Sequence, residues 1–413
     1  MPYAHATRAA TATAVALLLT ATGGATASAD SGPDPAAAAS SASPHRAAGV
    51  DLRISGRGFG HGRGMSQYGA QSRALAGQGA DRILDFYYPG TGVGSARSQL
   101  RILLTTPYAR GLVVRAQPRL AVRRVATGAR WRLPQLAGVH RWRLRWTSAS
   151  TTTLELLRGG DWQPAPRRRW RSIQGGAELV GGGPVELFGA GTATGYRGAL
   201  RTYGGSPGDM AVVNRLRMDE YLFGVVPRES PTSWEPAALR AQAVAARTYA
   251  QYHRQRSRAA GIGYDLCDTT SCQVYGGRGD EVATTNRAVR ATSGTIRTWH
   301  GDPIIAEFSS SNGGQTAGTA IPYQRFKRDR FDRYDGNPNR SWTSSVPGGR
   351  VANAWGLGRL VDVRQVRRDG HGAWGGRVTS LRLVGSERAV SVSGDDLRIT
   401  LGLRSTYLRI RVV

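Results

Sequence analysis

Lysine is nearly absent from this sequence: Lys327 is the only lysine among 56 basic residues, and all the others are arginine. Acidic residues are also scarce, 28 in all, so the net charge is +28. A chain of this charge attracts polyanions. The sequence has no zinc finger, no RNP-like aromatic strand and no basic heptad helix, so we do not expect a nucleic-acid partner. Anionic polymers of a cell wall are the alternative, although a GC-rich genome would also favour arginine.

No apolar run is long enough to cross a bilayer, which takes about 20 residues. The most apolar stretch, residues 9–21, follows a short basic segment and precedes Ala27-Ser28-Ala29, the pattern of a cleaved export signal. We therefore predict a signal peptide at residues 1–29 and a disordered Ala/Ser/Pro linker at residues 30–49. The expected location is secreted or cell-wall, with no transmembrane segment after cleavage.

The rest of the chain, residues 51–413, divides into three parts by composition. Residues 51–95 are glycine-rich, residues 100–205 contain short apolar runs separated by Gly, Pro or Ser, and residues 206–413 begin with a helical pattern and end in further strands. The pattern predicts a strand-rich α+β fold with one prominent helix. Ser233 and Pro236 are suited to the start of that helix.

Glu229 is the candidate catalytic residue. It lies in the segment Val226-Pro227-Arg228-Glu229-Ser230-Pro231, which we expect to be a loop just before the helix. Apolar neighbours raise the pKa of a carboxyl group, as a general acid requires, whereas nearby arginines and a helix N-terminus lower it. The sequence alone does not decide the direction of the net pKa shift of Glu229.

Arg240 and Arg247 are seven residues apart, and therefore nearly on one face of the predicted helix. On a face toward Glu229 they could orient its carboxylate or hold an acidic sugar. The alternative is that both extend over the surface into solvent.

Residues 211–250 resemble the signature of the SpoIID/LytB family, which includes the stage II sporulation lytic transglycosylase and the amidase enhancer LytB. The strongest match is the segment from Val226 to Pro231 leading into residues 238–250. The segments Gln273–Gly277, Phe308–Gly314 and Gly394–Tyr407 are also similar. The resemblance implies a SpoIID-like domain, a peptidoglycan glycan strand as partner, and Glu229 as the catalytic glutamate.

The resemblance also implies a set of substrate-binding residues: Arg240, Arg247, Gln273, Tyr275, Ser310, Ser311, Asn312, His61 and Gln67. Arg240 stands where lysine is common in the family, which keeps the charge and changes its geometry. The segment Gly60–Ala70, which carries His61 and Gln67, usually lies near the C-terminus in the sporulation proteins and comes first here. His61 could face substrate or only bond backbone in a tight turn.

Cys267 and Cys272 are the only cysteines. A pair in an exported chain predicts a disulfide. The alternative is a zinc site, because some relatives place histidine beside the second cysteine. Ser271 occupies that place here, so a local third ligand is missing. We therefore predict the disulfide, no metal and no cofactor.

Three functions fit these observations. The first is a peptidoglycan lytic transglycosylase that cleaves between N-acetylmuramic acid and N-acetylglucosamine with Glu229 as its one acid/base and leaves 1,6-anhydromuramic ends. The second is a non-catalytic amidase enhancer that binds glycan and stimulates a cell-wall amidase. The third is an adaptor held to the wall by charge, which has no need of Glu229 in its apolar setting.

Overall fold

A computed structural model describes residues 49–106, 111–148, 151–189, 192–204 and 211–413. The predicted signal peptide and nearly all of the predicted linker lie outside the described residues. Residues 49–413 form one unit, which is mixed α+β and strand-rich, as the sequence predicts. No described helix combines the length and the apolar character that a membrane span requires.

The helices of the described residues are α1 Gln67–Leu75, α2 Ala80–Tyr87, α3 Met218–Glu229, α4 Pro236–Ala259, α5 Ala283–Ala291, α6 Gly348–Trp355 and α7 Gly394–Leu401. The longest is α4, with 24 residues. Pro236 is its first residue, where the missing N–H of proline costs nothing. The residue before it, Glu235, takes the capping position in place of the predicted Ser233 and makes no side-chain cap bond.

The strands are β1 Leu52–Gly56, β2 Met65–Ser66, β3 Gly92–Ser95, β4 Gln99–Leu104, β5 Leu112–Arg115, β6 Ala121–Arg124, β7 Arg130–Arg132, β8 Val139–Ser148, β9 Thr151–Arg158, β10 Asp161–Pro164, β11 Ile173–Gln174, β12 Ala177–Val180, β13 Val185–Gly189, β14 Thr192–Tyr196, β15 Ala199–Tyr203, β16 Ala211–Arg217, β17 Leu266–Cys267, β18 Thr295–Trp299, β19 Asp302–Pro303, β20 Phe308–Ser309, β21 Trp342–Val346, β22 Leu360–Arg368, β23 Val378–Gly385, β24 Ala389–Ser393 and β25 Leu408–Val412.

Two large sheets enclose the main core. One has the order β17-β4-β16-β15-β12-β6-β7, and the other has the order β10-β9-β8-β5-β13-β14 with β11 paired to β9. In β4 the side chains alternate, with Leu100, Ile102 and Leu104 buried, because successive residues of a strand point to opposite faces. The buried sides of α3 and α4 complete the same core. The sheets thus hold the two helices that flank Glu229.

The segment before α4 is helical, which corrects the prediction of a loop around Glu229. Helix α3 ends at Glu229, with Pro227 in its last turn and Ser230 as its C-cap. The prolines suggested a loop, but burial of the apolar face of α3, which includes Tyr221, Leu222 and Val225, outweighs the one hydrogen bond that Pro227 removes.

Gly224 lets α3 approach the segment that follows the cysteine pair. A Cβ at this position would lie 2.8 Å from the carbonyl oxygen of Gly277 and 2.8 Å from the ring of Tyr275. Such distances are well below van der Waals contact, so only glycine fits. The approach brings the segment around residue 275 against the end of α3.

The first and last strands of the unit pair with each other. Strand β1 lies between β21 and β25, and Leu52 is opposite both Val346 and Val412. A second apolar core joins these strands to the sheet β22-β23-β24 and to α6 and α7. The glycine-rich segment that follows β1 is thereby fixed against residues near the other end of the chain.

Candidate functional site

A cleft of about 490 Å³ contains Glu229. It is lined by Phe59, Gly60, His61, Gln67, Glu229, Tyr249, Thr270, Ser271, Cys272, Val274, Glu307, Phe308, Ser309 and Ser310. These residues come from five separate regions of the sequence. The cleft therefore exists only in the folded chain.

Glu229 lies partly buried at the end of α3. Its Oε1 accepts a 3.4 Å hydrogen bond from the backbone N–H of Val274, and its backbone carbonyl accepts a 2.9 Å bond from the Gln67 amide. Burial raises the pKa of Glu229 above its ordinary value, and hydrogen bonding with Val274 and Gln67 offsets part of the rise. The carboxyl group is thus biased toward the protonated form, as a general acid needs.

The wall beside Glu229 is the segment from Thr270 to Val274, which begins within a disulfide loop. The structure joins Cys267 to Cys272, and the backbone N–H of Cys267 also contacts the Cys272 sulfur at 2.9 Å. Two residues further on, Val274 contacts the catalytic candidate. The disulfide loop therefore restrains the segment that donates to Glu229. In the described residues no group of His, Cys, Asp and Glu side chains is arranged to hold a metal ion.

The opposite wall is the glycine loop, which we define as residues 58–64. Gly58, Gly60, Gly62 and Gly64 all have positive φ, between 61° and 99°. At Gly64 a Cβ would lie 1.9 Å from the carbonyl oxygen of Glu307, so only glycine allows this approach. The positive φ angles and the close backbone approach thus explain why glycine alternates in this loop. The loop conformation brings His61 to the cleft.

His61 is neutral near pH 7. Burial, followed by the charge of Arg63, lowers the pKa of His61 to about 4, although Glu307 opposes the shift. Its Nδ1 accepts a 3.0 Å hydrogen bond from the backbone N–H of Arg63, so the ring hydrogen is on Nε2. His61 lines the cleft and also accepts a backbone hydrogen bond, so the bond within the turn does not remove it from the cleft. Its Nε2 hydrogen is the group that can donate to a ligand.

Glu307 is a second carboxylate in the cleft, and the sequence analysis missed it. Its Oε1 accepts a 2.7 Å bond from Arg63, and its Oε2 accepts bonds from Arg63 at 2.9 Å and from Gln324 at 2.8 Å. Burial raises the pKa of Glu307, but the hydrogen bonds and charge of Arg63 outweigh burial, and the net pKa is lowered. Glu307 stays ionised where Glu229 is biased toward protonation. A lone acidic residue in the apolar stretch Ile304–Phe308 was the signal available in the sequence.

Tyr249 from α4 lies in the field of both carboxylates. Burial raises the pKa of its phenol, and the charges of Glu307 and Glu229 add to the rise. Its hydroxyl stays protonated at all physiological pH values and lines the cleft as a hydrogen-bond donor. Tyr249 was in the recognised motif but was not among the predicted site residues.

The serine segment Ser309–Asn312 divides into a pair that lines the cleft and a pair that lies beneath it. Ser309 and Ser310 line the cleft. Ser311 and Asn312 are fully buried, with the Ser311 hydroxyl 2.8 Å from Asp332 and the Asn312 amide 2.9 Å from Asp329. Burial raises the pKa of Asp332 to about 6. The structure thus places Ser310 at the site and gives Ser311 and Asn312 a supporting position beneath it.

Gln273 and Tyr275 point away from the cleft into the core. The hydroxyl of Tyr275 contacts Asn214 at 2.9 Å, and Gln273 accepts a 3.3 Å bond from the hydroxyl of Tyr221. Both side chains are at most 4% exposed. They fix the backbone on either side of Val274, and the structure brings neither to the surface where substrate would lie.

Arg240 and Arg247 do not converge on Glu229, although they lie on nearly the same side of α4. Arg240 is exposed and outside the cleft lining. Arg247 is fully buried, donates to Asp219 at 2.9 Å, and also donates to the carbonyl oxygens of Val289 and Thr295. Helix α5 and strand β18 cover the second half of α4, so Arg247 has neither of the two positions predicted for it.

Comparisons with known proteins find similarity in the part of the chain that contains Glu229. Residues 206–299 match the SpoIID family model, described as Stage II sporulation protein. The match includes Glu229, α4 and the disulfide loop. The glycine loop and the serine segment lie outside it. The resemblance to the SpoIID family that the sequence predicted is therefore confirmed for residues 206–299.

Three relatives show how far the similarity extends. An uncharacterized protein of Brachyspira hyodysenteriae is 40% identical over 120 residues, 28% of this chain and 32% of that protein. The amidase enhancer of Bacillus subtilis is 39% identical over 131 residues, 30% of this chain and 17% of its own length. Stage II sporulation protein D of Bacillus amyloliquefaciens is 29% identical over 221 residues, 47% and 60% of the two chains. Each match thus spans less than two thirds of the relative.

Proposed function

We propose that this protein is a peptidoglycan lytic transglycosylase in which Glu229 is the one acid/base. The substrate is a glycan strand, cleaved between N-acetylmuramic acid and N-acetylglucosamine outside the cytoplasmic membrane. The observation that carries the proposal is the setting of Glu229: a carboxyl group at the wall of a 490 Å³ cleft, with its pKa raised by burial and its Oε1 near the N–H of Val274.

The reaction needs one group that can both give and accept a proton. Protonated Glu229 gives its proton to the glycosidic oxygen as the bond from that oxygen to the muramic C1 breaks. The muramic C6 hydroxyl then attacks C1 and returns its proton to the Glu229 carboxylate. The products are a 1,6-anhydromuramic end and a free glucosamine hydroxyl. Glu229 finishes in its starting protonation state.

The second carboxylate supports this scheme more than it supports hydrolysis. Hydrolytic glycosidases use a second carboxylate as nucleophile or as base toward water. Both oxygens of Glu307 are bonded to Arg63 or Gln324, and its pKa is lowered, so it is a weak base and a poor nucleophile. Its negative charge is suited to stabilising positive charge that develops at C1 in the transition state.

Product analysis tests the proposal. The protein would be incubated with intact glycan strands and with strands freed of stem peptides by an amidase, and the ends would be identified by mass spectrometry. We expect 1,6-anhydromuramic ends without new reducing ends. We expect Glu229→Gln to lose about 10²-fold or more of kcat while glycan binding persists, because the amide keeps the shape and loses the transferable proton. Exposed Glu235→Gln is the matched control and keeps full activity.

Two other results would replace the mechanism. New reducing ends would indicate hydrolysis and would make Glu307 the group to test as base. Full activity of Glu229→Gln would show that another residue of the cleft is the acid.

An amidase enhancer is the second candidate function, and the 39% identity over 131 residues to the Bacillus subtilis amidase enhancer favours it. In that case the cleft binds glycan without cleaving it, and a cell-wall amidase is the partner. Wild-type protein that releases no sugar from either strand type, but increases the rate of a purified amidase on the same strands, would establish this function in place of the first.

A further inference from the structure

A second pocket lies on another side of α1 from the cleft. It has a volume of about 560 Å³ and is lined by Arg73, Gln78, Arg82, Phe86, Arg328, Arg330 and Phe331. We call it the arginine pocket. Gln67, which lines the cleft, and Arg73 are six residues apart on α1, so their side chains point about 120° apart around the helix. The arginine pocket is therefore not an extension of the cleft.

Arg73 is held rigidly at this pocket. Its guanidinium carbon lies 3.4 Å from the ring centre of Phe86 and 4.5 Å from that of Phe331, and its NH2 nitrogen donates to Asp329 at 3.0 Å. Arg73 is only 6% exposed, and its Nε makes no hydrogen bond within the part of the chain that the structure describes. This Nε is enclosed by the protein, so the exposed arginines around Arg73 are the groups that a ligand can reach.

The other three arginines are exposed, and no carboxylate of the described residues is paired with Arg82, Arg328 or Arg330. Among the described residues, no acidic side chain lines the pocket. Elsewhere arginines such as Arg123 and Arg215 bond to carboxylates. Asp329 balances the charge of Arg73, but the three exposed guanidiniums lie at the pocket without a paired carboxylate and leave a local positive potential.

We propose that the arginine pocket binds the phosphate groups of a phosphodiester-linked polyol or sugar polymer. The guanidinium group of arginine binds phosphate through paired, charge-assisted hydrogen bonds. The tetrahedral phosphate presents oxygens in several directions, so it can contact several guanidiniums at once, whereas a planar carboxylate suits a single fork. The pocket is independent of Glu229 and would position the protein on a surface rich in such polymers.

The aromatic residues favour a polyol phosphate over a nucleic acid. Single-stranded nucleic acids bind by stacking their bases on free aromatic faces. Here Phe86 is already in contact with Arg73 and with Lys327 at 4.0 Å, and Phe331 with Arg73 and with Arg330 at 5.1 Å. The rings are occupied by cations and offer little surface for a base.

A matched pair of triple variants tests the assignment. The first variant replaces Arg82, Arg328 and Arg330 by Gln. The control replaces Arg167, Arg168 and Arg169, which are exposed and lie far along the chain in the β-rich part, by Gln, with the same loss of charge. The probes are soluble poly(glycerol phosphate), polygalacturonate of similar length and charge, and a single-stranded oligonucleotide with the same number of phosphates. Binding would be measured by calorimetry at 0.15 M salt.

We expect the pocket variant to bind poly(glycerol phosphate) about tenfold or more weakly, because charge-assisted bonds contribute at least the ~1.4 kcal/mol that tenfold represents. The control should change by about twofold or less, since diffuse charge at this salt is largely screened. Glycan cleavage and the unfolding midpoint should stay unchanged in both variants, which separates this site from the proposed cleavage site.

Three results would overturn the proposal. Equal losses in the two variants would mean that diffuse charge binds the polymer. Equal affinity for polygalacturonate, with the same dependence on the pocket, would make the ligand a general polyanion. Tighter binding of the oligonucleotide would assign the pocket to nucleic acid.

Discussion

The backbone N–H of Val274 lies 3.4 Å from Oε1 of Glu229, and Val274 follows the disulfide cysteine Cys272 by two residues. The position of the proposed acid thus depends on a short covalently closed loop. The loop also contributes Thr270 and Ser271 to the cleft. The disulfide is far from Glu229 in the sequence. It nevertheless contributes to the geometry that the proposed reaction requires.

Opening the disulfide should reduce activity and stability together. For the double substitution Cys267→Ser and Cys272→Ser we expect a loss of about 2 kcal/mol in the free energy of unfolding, because the closed loop is short. We expect kcat to fall more than KM rises, since Val274 positions the acid. Urea unfolding and steady-state kinetics measure the two effects. The native protein should show no free thiol until it is reduced. Unchanged kcat in the reduced protein would contradict the role of the loop.

The raised pKa of Glu229 predicts how activity and stability depend on pH. As the acid must be protonated, activity should fall as pH rises through the pKa of Glu229. A folded-state pKa above the unfolded one contributes stability that is present at low pH and lost as pH rises through the folded value. Glu229→Gln should therefore raise the thermal midpoint relative to wild type at pH 8 and change it less at pH 4. A midpoint equally shifted at both pH values would show that Glu229 is not desolvated.

Glu307→Gln tests the electrostatic role of the second carboxylate. We expect kcat to fall about tenfold or more, because the amide removes the negative charge near the developing positive charge. Glu281→Gln is the matched control, as Glu281 forms a similarly buried pair with Arg197 outside the cleft. Kinetics on glycan strands and thermal unfolding would be compared for the two variants. Equal effects of the two substitutions on kcat would show that the ion pair of Glu307 with Arg63 has only a structural role.

Arg247 and Arg240 should behave differently when replaced by Gln. Removing Arg247 leaves the partly buried Asp219 without its ion pair and takes one donor from each of two carbonyl oxygens, so we expect a loss of about 3 kcal/mol in stability. Arg240 is exposed, so its replacement should leave stability within about 0.5 kcal/mol. Chemical denaturation distinguishes them. Full stability of the Arg247 variant would contradict its position as a buried structural cation.

The sequence was sufficient to make Glu229 the candidate acid because its apolar neighbours and the helix after it are local features. Glu307 was not found, because its place in the cleft depends on the approach of the glycine loop to Phe308 across more than two hundred residues. The same limit applies to Arg247: helical spacing gave its direction on α4, but burial depends on α5 and β18, which come later in the chain. Gln273 and Tyr275 were identified by motif, and only the fold shows that they face inward.

The pairing of β1 with β21 and β25 has a consequence for the order in which the cleft is built. Trp342 donates to the carbonyl of Gly58, 284 residues earlier, and Leu52 of β1 is opposite Val412 of β25. A chain that is synthesised or translocated from its N-terminus cannot hold the glycine loop in this position until β21 and β25 have emerged. The cleft therefore assembles late, and a chain that has not yet released these strands lacks a complete candidate site.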